Sequence, residues 1–168
     1  MSAASIAKEI IRRILCWPLY LGMLLALIIR GLWGRKMFLQ DGILVVELHP
    51  DSWPNRTWYK NWGGTCFGYG IMLAPDMPNS VLAHEMVHAE QAEASACAGL
   101  IVGIVSSIVV GILGEPIVAL LLFLGFHVSL MLLNYGAASL VAFLRGENGA
   151  YWGNHNEEAA RSVSGQGV

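Results

Sequence analysis

Val81-Leu82-Ala83-His84-Glu85-Met86-Val87-His88-Ala89-Glu90-Gln91-Ala92 is the stretch on which the reading of this chain turns. Pro75 and Pro78 precede it, Asn79 or Ser80 is a plausible N-cap, and no helix breaker interrupts it. Inside it lies His-Glu-x-x-His. On a helix, residues i and i+4 share a face, so the imidazoles of His84 and His88 can reach one metal ion. Glu85 points beside that face. There it can take a proton from a water that the metal has polarised. The bland alternative is a surface helix with polar residues turned to water; the helical context argues against it.

Outward from the motif the chain becomes strongly apolar. Of 168 residues, 55% are hydrophobic and only 13% charged, with a mean hydropathy of +0.55. Such values fit a membrane protein better than a soluble domain. The formal net charge is −2, and no basic stripe appears. Together these argue against a nucleic-acid partner. Cys16, Cys66 and Cys97 are odd in number and scattered, so they make neither a disulfide framework nor a Cys-x-x-Cys metal site.

Three apolar runs are expected to cross the bilayer, at residues 14–33, 94–113 and 117–144. The first, flanked by Arg12-Arg13 and Arg35-Lys36, reads as an anchor, since no small-residue cleavage site follows it. Gly114-Glu115-Pro116 is a tight turn that makes the second and third runs a hairpin. Between anchor and motif, residues 34–79 differ in kind. A hairpin around Asp41-Gly42 and further strands at 57–60 and 65–73 are expected. Gly68 and Gly70 suit either an edge strand that pairs with an extended peptide or tight packing on a helix. Trp53, Trp58, Trp62, Tyr59 and Trp152 suit an interfacial belt or a small core. The fold class expected is therefore an α-helical membrane protein of about three transmembrane helices, with a small zincin-like α+β region whose short sheet precedes the motif helix. Its parts are an anchor at 1–33, a β-rich region at 34–79, the motif helix at 80–93, the hydrophobic hairpin at 94–144 and a C-terminal segment at 145–168.

A catalytic zinc of this type takes three protein ligands and leaves a fourth position for water. The third ligand expected is Glu157, near the start of a short helix capped by Asn154 or Asn156, with Glu158 and His155 as competitors. Arg161, four residues on, is placed to orient the carboxylate. Helix arithmetic supports the assignment. His88 to Gly114 rises about 39 Å and Pro116 to Leu144 returns about 42 Å. The chain therefore comes back to the level of the motif. Tyr151 and His155 are candidate oxyanion donors. His127 reads as a buried imidazole bonded to a helix neighbour, and His49 as solvent-facing.

A membrane anchor, a small strand region, His84-Glu85-x-x-His88, a hydrophobic hairpin and then Asn156-Glu157-x-x-Ala160 resemble the integral-membrane zinc metallopeptidases of the HtpX and CAAX-prenyl endopeptidase kind, and the gluzincins broadly. Arg161 stands where those families often carry Asp. The resemblance implies a zinc (Zn2+) held by His84, His88 and Glu157 and a catalytic base at Glu85. It also implies an endopeptidase acting on peptide or membrane-protein substrates at the surface of the lipid bilayer, with its site on the cytoplasmic face. The alternative is a non-catalytic zincin-like subunit of a membrane complex, which would bring partner subunits.

Overall fold

The computed structural model describes residues 3–59, 63–144 and 154–165. The chain is mostly helical with one four-stranded sheet. Helix α1 (Ala3–Leu15) ends at a 3-10 turn, Trp17–Leu19, and α2 (Tyr20–Trp33) follows. Strands β1 (Gly34–Gln40) and β2 (Ile43–Leu48) form the expected hairpin around Asp41-Gly42, both in left-handed backbone. Helix α3 (Trp53–Thr57), β3 (Gly64–Phe67) and β4 (Gly70–Leu73) lead to α4 (Asn79–Ile112), α5 (Pro116–Leu144) and α6 (His155–Ser164).

Two strand expectations change. Where a strand was expected at 57–60, Thr57 is the last residue of α3 and Trp58 and Tyr59 form a turn, while Lys60 lies outside the described residues. Ser52 caps α3 by accepting from the Asn55 N–H, and Pro54 sits in its first turn. The single strand expected at 65–73 is a tight hairpin instead, turned by Gly68 at φ +58°. The alternation of Phe67, Tyr69, Ile71 and Leu73 imitates one strand but straddles the turn.

The sheet runs β1-β2-β4-β3, with β2 and β4 parallel and the other pairs antiparallel. Its two faces follow the period of two. Ile43, Val45, Ile71 and Leu73 pack on Ala89, Ala92 and Ala96 of α4. Leu44 and Val46 pack on Ala26 and Met23 of α2. Glycines make the α2 contact close enough. A side chain at Gly22 would run into the Phe67 carbonyl, and one at Gly70 into the Gly22 carbonyl. The packing reading of Gly70 is thus the one observed. The sheet is a layer between α2 and the first half of α4.

The apolar run expected as one anchor is therefore two helices, bent by 69° at the 3-10 turn. Pro18 is the second residue of that turn. Among the described residues, one helix, Asn79–Ile112, is long and apolar enough to cross a membrane, or two if the bent pair counts as one span. Helices α4 and α5 pack along a seam of small residues. A Cβ on Gly99 would sit 2.5 Å from the Phe126 carbonyl oxygen, and one on Gly103 2.9 Å from that of Phe123. Ser107 donates to the Ala119 carbonyl at 2.7 Å, and Asn134 to Ser95 at 3.2 Å. Small residues and interhelical hydrogen bonds are how helices associate where water drives nothing together. Trp62 and Trp152, named for the belt, lie outside the described residues. Trp53 and Trp58 are exposed and stack edge to face at 4.8 Å, while Tyr59 is buried.

Candidate metal centre

Helix α4 carries the motif as read, with an uninterrupted helix through His84 and His88. Helix α6 supplies the third group. Its N-cap is Asn154, which accepts from the Asn156 N–H at 2.9 Å and donates to Ser139 of α5 at 2.8 Å. That anchors the start of α6 on the returning limb of the hairpin. Ala160 is fully buried, which lets α6 lie close, whereas Ala159 faces outward.

The three side chains converge. His84 Nε2 lies 3.2 Å from Glu157 Oε2 and 3.1 Å from His88 Nε2, and His88 Nε2 lies 3.4 Å from Glu157 Oε1. The two rings stand nearly perpendicular, at 81°. Donors about 2.1 Å from a tetrahedral ion lie about 3.4 Å apart. The His–His edge is close to that spacing and each imidazole lies within 3.4 Å of one oxygen of the Glu157 carboxylate, so the donor set suits an ion in chemistry and approximate size. His84, His88 and Glu157 form a buried group that can hold a metal ion. Glu157 is 3% exposed, while its competitor Glu158 faces solvent. Tyr151 and the side chain of His155 lie outside the described residues. Arg161 is buried on α6.

Glu85 is adjacent but outside the ligand set. It is 6% exposed and lies against β3, so near that a Cβ on Gly64 would come within 2.9 Å of its Oε1. Burial pushes its carboxyl up to about 7, against the opposing pull of His88 and His84. For His88, burial disfavours the charged ring, but the Glu157 carboxylate and Gln91 outweigh it and raise its pKa. His127 is buried as expected, but its Nε2 bonds the Leu15 carbonyl of a different helix, at 2.8 Å. His49 is exposed and accepts from the Asp51 N–H.

No protein-family model, no curated protein and no solved structure matches this chain. The site must be read from its own atoms.

One functional residue escaped the sequence reading. Gln91 Oε1 lies 2.8 Å from His88 Nδ1, and Gln91 Nε2 donates to the Asn156 carbonyl at 2.9 Å. Accepting from Nδ1–H leaves the lone pair on Nε2, which faces the centre. One amide thus sets the tautomer of a ligand on α4 and ties down the helix that carries Glu157. The signal was its position three residues beyond the second His, on the same side of the helix. Only a side chain that both accepts and donates performs both tasks. Gln91→Leu is expected to weaken metal binding about 10- to 100-fold without unfolding the protein, as measured by competition with a chelator. Gln91→Glu, which keeps the acceptor and loses the donor, is expected to fall between. Unchanged affinity in Gln91→Leu would show that the bridge orients nothing.

Proposed function

We propose that this protein is a membrane-embedded zinc endopeptidase that cleaves peptide bonds near the bilayer surface, in the manner of the gluzincin-like membrane metallopeptidases it resembles. The observation that carries the reading is the convergence of donor atoms of His84, His88 and Glu157 within 4.8 Å of one another, with the buried carboxylate of Glu85 beside them. Two imidazoles and one carboxylate form the ligand set of a catalytic zinc with an open fourth position.

Zinc, when bound, polarises the scissile carbonyl and acidifies the attacking water. The chain does the rest. Glu85 takes the proton of that water and delivers it to the leaving amine. Its burial keeps water from competing for that proton. Strand β3 is at the edge of the sheet, and its Gly64 lies against Glu85. An extended peptide added to β3 would run past the base, and a glycine leaves it room. The α4–α5 hairpin crosses the membrane and returns, which keeps the motif and α6 on one side, taken here as the cytoplasmic one. That requirement is met by two crossings, without a third from the N-terminal helices.

One observation favours the alternative of a non-catalytic subunit: His84, Glu85 and Glu157 are all more than nine-tenths buried, as a sealed structural site would be. Chelation separates the two. Hydrolysis of a membrane-anchored substrate in liposomes is expected to stop when a chelator strips the metal and to return with zinc. Turnover that survives chelation would end the metallopeptidase reading. Full zinc occupancy with no turnover, and with no exchange of water or small anions at the metal, would favour the structural subunit.

A further inference from the structure

We infer that α1 is not the start of a membrane span but an interfacial helix lying in the headgroup layer, and that it fixes the height of the metal centre above the hydrocarbon. The inference rests on the reading of the α4–α5 hairpin as membrane-inserted.

The helix is divided lengthwise. At 100° per residue, Ile6, Ile10, Ile11, Ile14 and Leu15 occupy one half of its circumference, and Lys8, Glu9, Arg12 and Arg13 the other. Every one of those five apolar side chains is exposed, Ile14 at 65%. On the charged half, Arg12 and Arg13 reach the rest of the protein while Lys8 stays exposed. Arg12 Nη1 meets Glu93 Oε2 at 2.7 Å, and Arg13 Nη2 donates to the Asp41 carbonyl at 2.6 Å. A helix with a charged half and an apolar half left exposed by the described residues suits the boundary between headgroups and acyl chains.

Its level is fixed by its partner. Glu93 is the last charge on α4; none follows until Glu115. The Arg12–Glu93 pair therefore pins α1 at the polar edge of the helix that crosses. The 69° bend then turns α2 away from α1's direction. Helix α2 rises only about 21 Å, less than a hydrocarbon core, and one of its faces is spent on the sheet. Two further features adjoin it. Trp17 and Tyr20, exposed at the bend, are the residue types of the membrane–water boundary. The tip of the β1–β2 hairpin, held by Arg13, carries Phe38 and Leu39, the latter 67% exposed. Helix, bend and hairpin tip make one apolar collar around the foot of the crossing helices. Its occupant is a phospholipid bilayer.

The collar turns into a statement about substrate. Along α4, His88 lies about 8 Å and His84 about 14 Å from Glu93, on the side away from the hairpin. The centre is thus held roughly 10 Å outside the polar edge. It reaches the juxtamembrane segment of a membrane-anchored chain and not a bond within the bilayer.

Nitroxide depth profiling tests this on the full chain in phosphatidylcholine–phosphatidylglycerol vesicles. Labels would sit one at a time at Ile6→Cys, Ile10→Cys, Ile14→Cys, Leu39→Cys and Ile112→Cys, with the three native cysteines replaced by Ala. Positions 6, 10, 14 and 39 are expected at one depth just beneath the phosphates, and position 112 near the opposite face. A depth that changes by about 12 Å from 6 to 14 would make α1 part of a span and overturn the proposal. So would labels at 10 and 14 that are shielded from lipid while 112 is not, as when a second copy covers α1; the hairpin reading would survive. A label at 112 that never meets lipid would remove both. If the Ala background does not fold, the native-cysteine chain serves. The quenching lost in Trp17→Phe should be greater for lipids brominated near the headgroup than at the chain ends. The reverse order would overturn the proposal.

Discussion

Glu85→Gln is expected to abolish peptide hydrolysis while the protein keeps its fold and its metal. Glutamine has almost the shape of the glutamate it replaces, so the contact with Gly64 and the packing under β3 survive. Nothing in the ligand set changes, because the converging atoms belong to His84, His88 and Glu157. What disappears is a group that can take up a proton at neutral pH. Removing a general base typically costs roughly 10²- to 10⁴-fold. In the proposed mechanism one residue serves as base and then as acid, so a loss above about 10⁴-fold is expected. The measurement is turnover of one membrane-anchored substrate by both forms at equal zinc occupancy. Equal rates would take Glu85 out of the mechanism.

The second large effect is on the metal itself. Wild-type protein should carry about one equivalent of zinc; His84→Ala/His88→Ala should carry none. Glu157→Ala should lose far more affinity than the roughly 10- to 100-fold expected of an outer hydrogen bond such as that of Gln91. Glu158→Ala should lose nothing, since Glu158 faces solvent. A thermal readout gives the same answer without catalysis. A ligand at about a thousand times its dissociation constant stabilises the native state by about 4 kcal/mol. Zinc should therefore raise the melting temperature of wild type and of Glu158→Ala, and leave the double mutant unmoved. Stoichiometric zinc in the double mutant would sink the assignment.

What could be read in the sequence was local. His84 and His88 are one helical turn apart, and Asn154 announces its helix by capping it, so both elements are visible without any knowledge of the fold. Glu157 was reachable because the hairpin limbs are nearly equal in length, which turns a tertiary contact into arithmetic. Two departures also carry local signals. Ser52-Trp53-Pro54 is a helix start, and Trp17-Pro18 a break, but hydropathy and alternation spoke louder at both places. The rest was not local at all. Hydropathy cannot tell whether an apolar helix face meets lipid or a sheet, and α2 meets a sheet. The parallel pairing of β2 with β4, across the whole of α3 and β3, leaves no mark on either strand. Gln91 looked like any polar residue on a helix, because its two partners are His88 beside it and a carbonyl of a helix far along the chain.

The separation of 73 residues between His84 and Glu157 bears on timing. The base and both imidazoles leave the ribosome first, but the carboxylate joins them only after both limbs of the hairpin have been made and have folded back. A nascent or half-inserted chain therefore carries an incomplete centre. If the proposed peptidase activity holds, assembly of the hairpin is itself the activating event, and the young chain cannot cut its surroundings before it has folded back.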